Sequence, residues 1–246
     1  MRIDILTLFP ELCESVLSAS IIGRARAAGY VTIACHNIRD YTLDKHCRID
    51  DAPYGGGMGM VMQAQPIYDC FAAVPRVQED KKPHLIYLSP QGQTLTQEKV
   101  KELASYDQLV LLCGHYEGVD ERVLEELVDE EISVGDYVLT GGELPACTLT
   151  DAVCRMLPGV LPNEDAYEIE SHYGHLLEYP QYTRPAVWNG RAVPDILLSG
   201  DHAKVARYQL KEALRRTLQR RPDLLASASL SETEKELLAE LQEEAQ

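Results

Sequence analysis

Three apolar runs in this chain end in glycine-bearing turns. Leu85–Leu88 leads into Ser89-Pro90-Gln91-Gly92, and Leu109–Cys113 leads into Gly114-His115-Tyr116-Glu117-Gly118. Ile132-Ser133-Val134 leads into Gly135-Asp136-Tyr137-Val138-Leu139-Thr140-Gly141-Gly142, followed by Glu143-Leu144-Pro145. Glycine lets a backbone turn sharply or approach a ligand closely. Three such loops at three strand ends predict a crevice at the carboxyl edge of a parallel sheet, or else three ordinary turns. A longer irregular loop from Asp40 to Met62 carries Pro53-Tyr54-Gly55-Gly56-Gly57-Met58-Gly59-Met60. It lacks both the Gly-Lys-Ser/Thr of a phosphate loop and the Gly-x-Gly-x-x-Gly register of a dinucleotide site. Further on, Asp151 and Arg155 stand four residues apart, which suits an ordinary helical ion pair. Beside a ligand crevice the same arginine would stabilise developing negative charge.

The elements that must position these groups alternate. A strand over Arg2–Phe9 is followed by a helix from Pro10 to Ala28, closed by Gly29, and by a strand over Tyr30–Ile38. Helices are expected over Gln65–Ala73, Thr94–Ser105 and Val119–Val128, so the chain reads as α/β with a mostly parallel sheet. Pro145 can open a helix that runs to Leu157, with Leu149, Val153 and Met156 on its buried side. From Leu161 to Pro185 the composition turns acidic, tyrosine-rich and proline-interrupted, as in an interdomain linker. The expected division is residues 1–160, a linker over 161–185, and a small helical region over 186–246. That last region ends in an acidic amphipathic helix from Ser231, with Leu237, Leu238 and Leu241 as its apolar side.

Composition narrows the classes. With 246 residues, 45% of them hydrophobic, the chain can bury a substantial core. No apolar run approaches the roughly 20 residues that cross a bilayer, and the N-terminus does not read as a signal peptide, so a cytoplasmic protein is expected. Seven cysteines without a Cys-x-x-Cys spacing argue against a disulfide framework or zinc knuckle. No His-x-x-x-His spacing suggests a metal site. The net charge of −16 hides a basic stretch. Between Arg184 and Arg221, nine Lys or Arg face only Asp195, Asp201 and Glu212. Lys204, Arg207, Lys211 and Arg215 share one helical face, which is either a solvated surface or a contact for an anionic polymer.

Several of these motifs occur together and in order: Pro53-Tyr54-Gly55-Gly56-Gly57-x-Gly59-Met60, Leu88-Ser89-Pro90-Gln91-Gly92, Cys113-Gly114-x-Tyr116-Glu117-Gly118, Gly135 through Glu143, and Tyr182-Thr183-Arg184-Pro185. In them the chain closely resembles the bacterial tRNA (guanine-N1)-methyltransferases of the SPOUT class, which methylate the guanine just 3′ of the anticodon. The match extends through Arg221-Pro222-Asp223-Leu224-Leu225.

The resemblance implies an α/β fold with a deep trefoil knot followed by a small helical C-terminal domain. It also implies a homodimer whose interface completes each active site, and a modification that supports reading-frame maintenance. Carried over by motif, S-adenosylmethionine would contact Tyr87, Leu88, Ser89, Pro90, Gln91, Gly114, Tyr116, Glu117, Val134, Gly135, Asp136, Tyr137, Val138, Leu139, Gly141, Gly142 and Pro145. Gly57 and Gly59 would lie beside the target base. Lys204, Arg207, Lys211 and Arg215 would hold the tRNA anticodon arm. Arg155 would sit on the O6 side of the guanine. Where the family usually has aspartate before a serine as general base, this chain has Glu170 before Ser171, with Glu168 and Asp165 as rivals. Met58 stands where the family often has proline. The resemblance further implies help from Mg2+, for which no ligand set can be assigned.

Overall fold

The computed structural model describes residues 1–163, 167, 169–226 and 228–244. The chain divides into two compact units, Met1–Glu164 and Asp165–Gln246. The first opens with β1 (Arg2–Thr7), α1 (Pro10–Leu17), α2 (Ser20–Ala27) and β2 (Thr32–Asn37). Two short strands, β3 (Asp50–Asp51) and β4 (Val61–Met62), precede α3 (Ala64–Ala73). Then come β5 (His84–Thr94), α4 (Gln97–Leu103), β6 (Gln108–Cys113), α5 (Glu121–Leu127), β7 (Glu130–Ser133) and α6 (Glu143–Cys154).

Five strands form a parallel sheet in the order β2-β1-β6-β5-β7. Helices cover both faces, which is why β5 and β6 read in sequence as unbroken apolar runs. Ile3, Ile5, Ile86, Leu88, Leu109 and Leu111 face α1, α2, α4 and α6. Leu6, Leu85, Tyr87, Val110 and Leu112 point the other way, toward α3 and α5.

Local chemistry corrects several expected boundaries. The single helix expected from Pro10 to Ala28 breaks after Leu17. Ser20 takes a left-handed φ of +53°, and Gly23 lies so close to the Ser18 carbonyl that any Cβ would collide. The expected turn at Ser89–Gly92 is a bulge inside β5: Leu88 and Gln93 both pair with Ile132, and the residues between them loop out. Because β5 continues to Thr94, the next helix begins at Gln97, with the Thr96 hydroxyl accepting the Lys99 N–H at 3.3 Å. The helix expected from Pro145 begins earlier, at Glu143. The loop from Asp40 to Met62 is partly built, by a 3₁₀ turn over Ile38–Tyr41 and an antiparallel pairing of β3 with β4.

One buried charge sits within the sheet. Asp4, fully buried in β1, is paired with Arg2 at 2.6 Å, His36 at 2.8 Å and the Gln108 amide at 2.8 Å. Burial alone would raise its pKa, but the hydrogen bonds from His36, Arg2 and Gln108 outweigh it and hold the carboxyl below the usual range. A depressed folded pKa gives stability that is complete above about pH 4 and is lost as pH falls through the folded value. Asp4→Asn is therefore expected to cost about 2 kcal/mol at neutral pH. In urea titrations, the gap from wild type should close as pH falls through the depressed pKa of the folded carboxyl.

The second unit contains a hairpin, β8 (Val187–Trp188) with β9 (Arg191–Ala192), then α7 (His202–Arg220), α8 (Pro222–Ala226) and α9 (Glu232–Glu244). Its core is Leu214, Leu237 and Leu241, with Leu176, Leu210 and Leu225 packed against them. Ser231 and Glu234 form a reciprocal capping box at the start of α9: each backbone N–H donates to the other's side-chain oxygen, at 2.8 and 3.3 Å. The segment expected as a linker is bonded into this unit. His175 pairs with Glu234 at 3.0 Å, and the Leu177 N–H donates to the Thr217 hydroxyl at 2.8 Å.

Candidate active site

Adjacent strands β5 and β6 send their following helices to opposite faces of the sheet, α4 to one and α5 to the other. Chains that diverge in this way leave a crevice at the carboxyl ends of the strands. Here the crevice is a cleft of about 410 Å³, within the range of small-molecule sites.

Most of the residues expected to hold a cofactor meet in this cleft. Tyr87, Leu88, Ser89, Pro90 and Gln91 come from β5 and its bulge, and Gly114, Tyr116 and Glu117 from the loop after β6. Val134, Tyr137, Val138, Leu139, Gly141, Gly142 and Pro145 come from the segment between β7 and α6. Gly135 and Asp136 are not among the lining residues. Gly135 instead shapes the loop: its N–H donates to the Ser133 hydroxyl at 3.2 Å, and its carbonyl accepts from that hydroxyl at 2.9 Å and from the Tyr137 N–H at 2.9 Å.

The loops are locked by close backbone approach. The Gly142 N–H donates to the Gly114 carbonyl at 3.0 Å, and a Cβ on Gly142 would lie 2.7 Å from the Cys113 Cα. Glu143, only 3% exposed, accepts the Thr7 hydroxyl at 2.7 Å and pairs with His115 Nε2 at 2.8 Å. This buried carboxylate thus joins the ends of β1 and β6 to the first turn of α6. His115 also lines the cleft, as do Gly118, Val119, Glu121, Leu124, Glu131, Ile132, Ser133 and Thr140. Sequence reasoning passed over these. For His115 the one available signal was its place inside the Gly114–Gly118 motif.

Charge in the cleft has one sign. Glu117, Glu121 and Glu131 line it, with no Lys or Arg among the described lining residues. Burial, with Glu131 and Glu121 adding to it, pushes the Tyr87 hydroxyl up to about 12, so that group is a neutral phenol at neutral pH. Such a cleft suits a ligand that carries positive charge.

The glycine-rich loop is tied to the rim. The Glu117 N–H donates to the Met60 carbonyl at 3.0 Å, and the Met62 N–H to the Gly118 carbonyl at 2.9 Å. Gly59 lies directly against the Glu117 side chain, with no room for a Cβ, while Gly57, at φ +136°, lies nearer Pro53.

Arg155 does not join this cleft. It caps the far end of α6, about 20 Å along the helix axis from Gly142 at 1.5 Å per residue. Glu170 lies in the second unit, where its N–H donates to the Tyr167 carbonyl at 3.2 Å. Its rivals Glu168 and Asp165 lie outside the described residues.

The cationic face of α7 is occupied. Arg207 pairs with Glu240 at 2.5 Å, Lys211 with Glu240 at 2.7 Å and Glu244 at 2.8 Å, and Arg215 with Glu244 at 3.0 Å. Lys204 pairs with Asp201 at 3.0 Å on the same helix. The face read from spacing as open is therefore largely closed by α9. Among the described residues no group of three or more His, Cys, Asp or Glu gathers as a metal site, and no helix is long and apolar enough to cross a membrane.

Among known proteins, the family described as tRNA (guanine-1)-methyltransferase TrmD matches residues 1–227. A relative from Ruminiclostridium cellulolyticum, named tRNA (guanine-N(1)-)-methyltransferase, is 56% identical over 91% of this chain and 96% of its own length. One from Chloroflexus aggregans with the same name is 55% identical over 98% of this chain and 95% of its own.

Proposed function

Because this chain belongs to the tRNA (guanine-1)-methyltransferase family, we propose that it methylates N1 of the guanosine immediately 3′ of the tRNA anticodon, in the cytoplasm, using S-adenosylmethionine. The observation that carries the donor is the cleft: glycine loops too tight for a Cβ, rimmed by Glu117, Glu121 and Glu131 without a lining cation among the described residues. Carboxylates repel a phosphate-bearing cofactor and favour one bearing a sulfonium and an amine. When bound, S-adenosylmethionine supplies a methyl group on positively charged sulfur. The residues that would hold it are those of the β5 bulge, the Gly114–Glu117 turn and the Val134–Pro145 segment, whose bend Gly135 shapes. Gly57 and Gly59 flank the target base.

Guanine N1 carries a proton at neutral pH, and its loss places negative charge on O6. Glu170 accepts the N1 proton, and the Arg155 guanidinium stabilises O6 as that charge develops. The N1 lone pair then forms the new N–CH3 bond as the S–CH3 bond breaks, with sulfur keeping the bonding pair.

The remoteness of Arg155 from its own cleft favours a homodimer in which each subunit supplies Arg155 to its partner's cofactor. The path from β7 supports a deep trefoil knot. The chain leaves the sheet edge, passes the end of β6 at Gly142, and enters α6, which packs beside α1 against β1 and β6. The second unit holds the anticodon arm. Phosphates there compete with α9 for the α7 cations, so Lys204 and Arg207, the more exposed, contribute more than Lys211 and Arg215.

The test is transfer of labelled methyl from S-adenosylmethionine to an unmodified tRNA transcript with guanine 3′ of the anticodon, beside one with adenine there. Methylation of the first alone is expected. Methylation of neither would overturn the reading.

A further inference from the structure

Nine Lys or Arg lie between Arg184 and Arg221. Five of them, Lys204, Arg207, Lys211, Arg215 and Arg221, are paired with carboxylates of their own unit. Arg184, Arg191, Arg216 and Arg220 have no such partner among the described residues; Arg184 precedes the β8–β9 hairpin and Arg191 lies in β9. Every residue from Gln181 to Ala192 is exposed. The turn is Asn189-Gly190, with φ of +48° and +75°, the left-handed pair that makes the tightest hairpin connection. Trp188 and Arg191 are direct cross-strand partners, so their side chains stand on the same face of the ribbon. Trp188 is 66% exposed. A solvent-facing indole beside an uncommitted guanidinium, on a stiff two-stranded ribbon, has the form of a nucleotide contact: a planar surface for a base and a charge for its phosphate.

We propose that the β8–β9 hairpin is an RNA-contacting tongue, on which Trp188 stacks against an unpaired base of the tRNA while Arg191 and Arg184 meet the adjoining phosphates. This rests on the tRNA reading above, and it moves the principal contact of the second unit from the stripe of Arg207, Lys211 and Arg215, which Glu240 and Glu244 of α9 already pair, to the hairpin. An unpaired base is the occupant because a stacked duplex offers no π-face to an indole, whereas loop nucleotides do.

Trp188 is the only tryptophan in the chain, so its fluorescence reports this contact without labelling. Unmodified tRNA added to the full-length protein should quench that emission, saturating in step with binding measured by filter retention. Trp188→Ala should weaken tRNA binding about tenfold, with S-adenosylmethionine affinity unchanged, and Trp188→Phe should recover most of the loss. Emission that does not change at saturating tRNA, or unaltered affinity in Trp188→Ala, would overturn the proposal. So would an emission change that depends on protein concentration without RNA, which would mean that a second copy covers the ribbon. A wild-type protein that binds tRNA but methylates none refutes the functional reading and leaves the tongue standing; active methylation without quenching refutes the tongue alone.

Discussion

Glu170→Gln is expected to slow single-turnover methyl transfer by about 10²–10⁴-fold while leaving S-adenosylmethionine and tRNA affinities within about twofold of wild type. The amide has almost the shape of the carboxylate but cannot take the N1 proton, so the loss falls on the chemical step. Glu170 is partly buried in the second unit, and its backbone is held on both sides: its N–H donates to the Tyr167 carbonyl, and its own carbonyl accepts the Tyr173 N–H at 3.3 Å. A carboxylate with a fixed backbone is better suited to proton transfer than one on a free chain. One further variant is a control. Glu170→Asp, one methylene shorter, keeps a carboxylate and should retain most of the rate. An unchanged rate in Glu170→Gln would remove Glu170 from the mechanism and turn attention to Glu168 and Asp165.

What sequence could and could not reveal follows from the range of the interactions involved. The buried strands and the glycine turns at their ends are local features, so the α/β order and a crevice at the strand ends were readable; the individual cofactor contacts came from the family resemblance, which left out His115, Glu121 and Glu131 among others. The bulge in β5 was not, because Ser89–Gly92 loops out only when Leu88 and Gln93 both pair with Ile132, about forty residues away. Glu143 was missed as a lock for the same reason: its partner Thr7 lies 136 residues earlier. The spacing of Lys204, Arg207, Lys211 and Arg215 correctly placed a basic stripe on a helix. It carried no information about Glu240 and Glu244, some thirty residues further on, which fold back over that stripe. Lys211 in turn holds both of those carboxyls below their usual range, Arg215 assisting at Glu244. Charge periodicity identifies a face; only tertiary structure shows whether that face is free.

The distance between Arg155 and the cleft leads to the second large effect. Gly142 and Pro145 stand at the first turn of α6, with Gly142 and Pro145 both lining the cleft, and Arg155 follows the last turn of the same rigid helix. The axial span of about 20 Å from Gly142 to Arg155 exceeds the length of one side chain, which is the ground for expecting that Arg155 serves a partner's cleft. Arg155→Ala should therefore lower methyl transfer about 10²–10³-fold, as loss of an oxyanion stabiliser does. Gly142→Ala should fail for a different reason, since its new Cβ meets the Cys113 backbone and opens the loop junction that shapes the cleft. In a twofold-symmetric dimer each site would take its cleft from one subunit and its arginine from the other. A mixed dimer of the two variants then carries one site damaged twice and one site fully intact. The mixed dimer, with one intact site of its two, should show about half of wild-type activity although both parents are nearly inactive. The assay is methyl transfer after co-expression and tandem-tag purification of the mixed dimer, with sedimentation velocity confirming that each variant still dimerises. Restored activity requires that Arg155 act across the interface. Failure to restore it, with mixed dimers demonstrably present, would place both groups in one subunit and demand a rearrangement of α6 on binding tRNA.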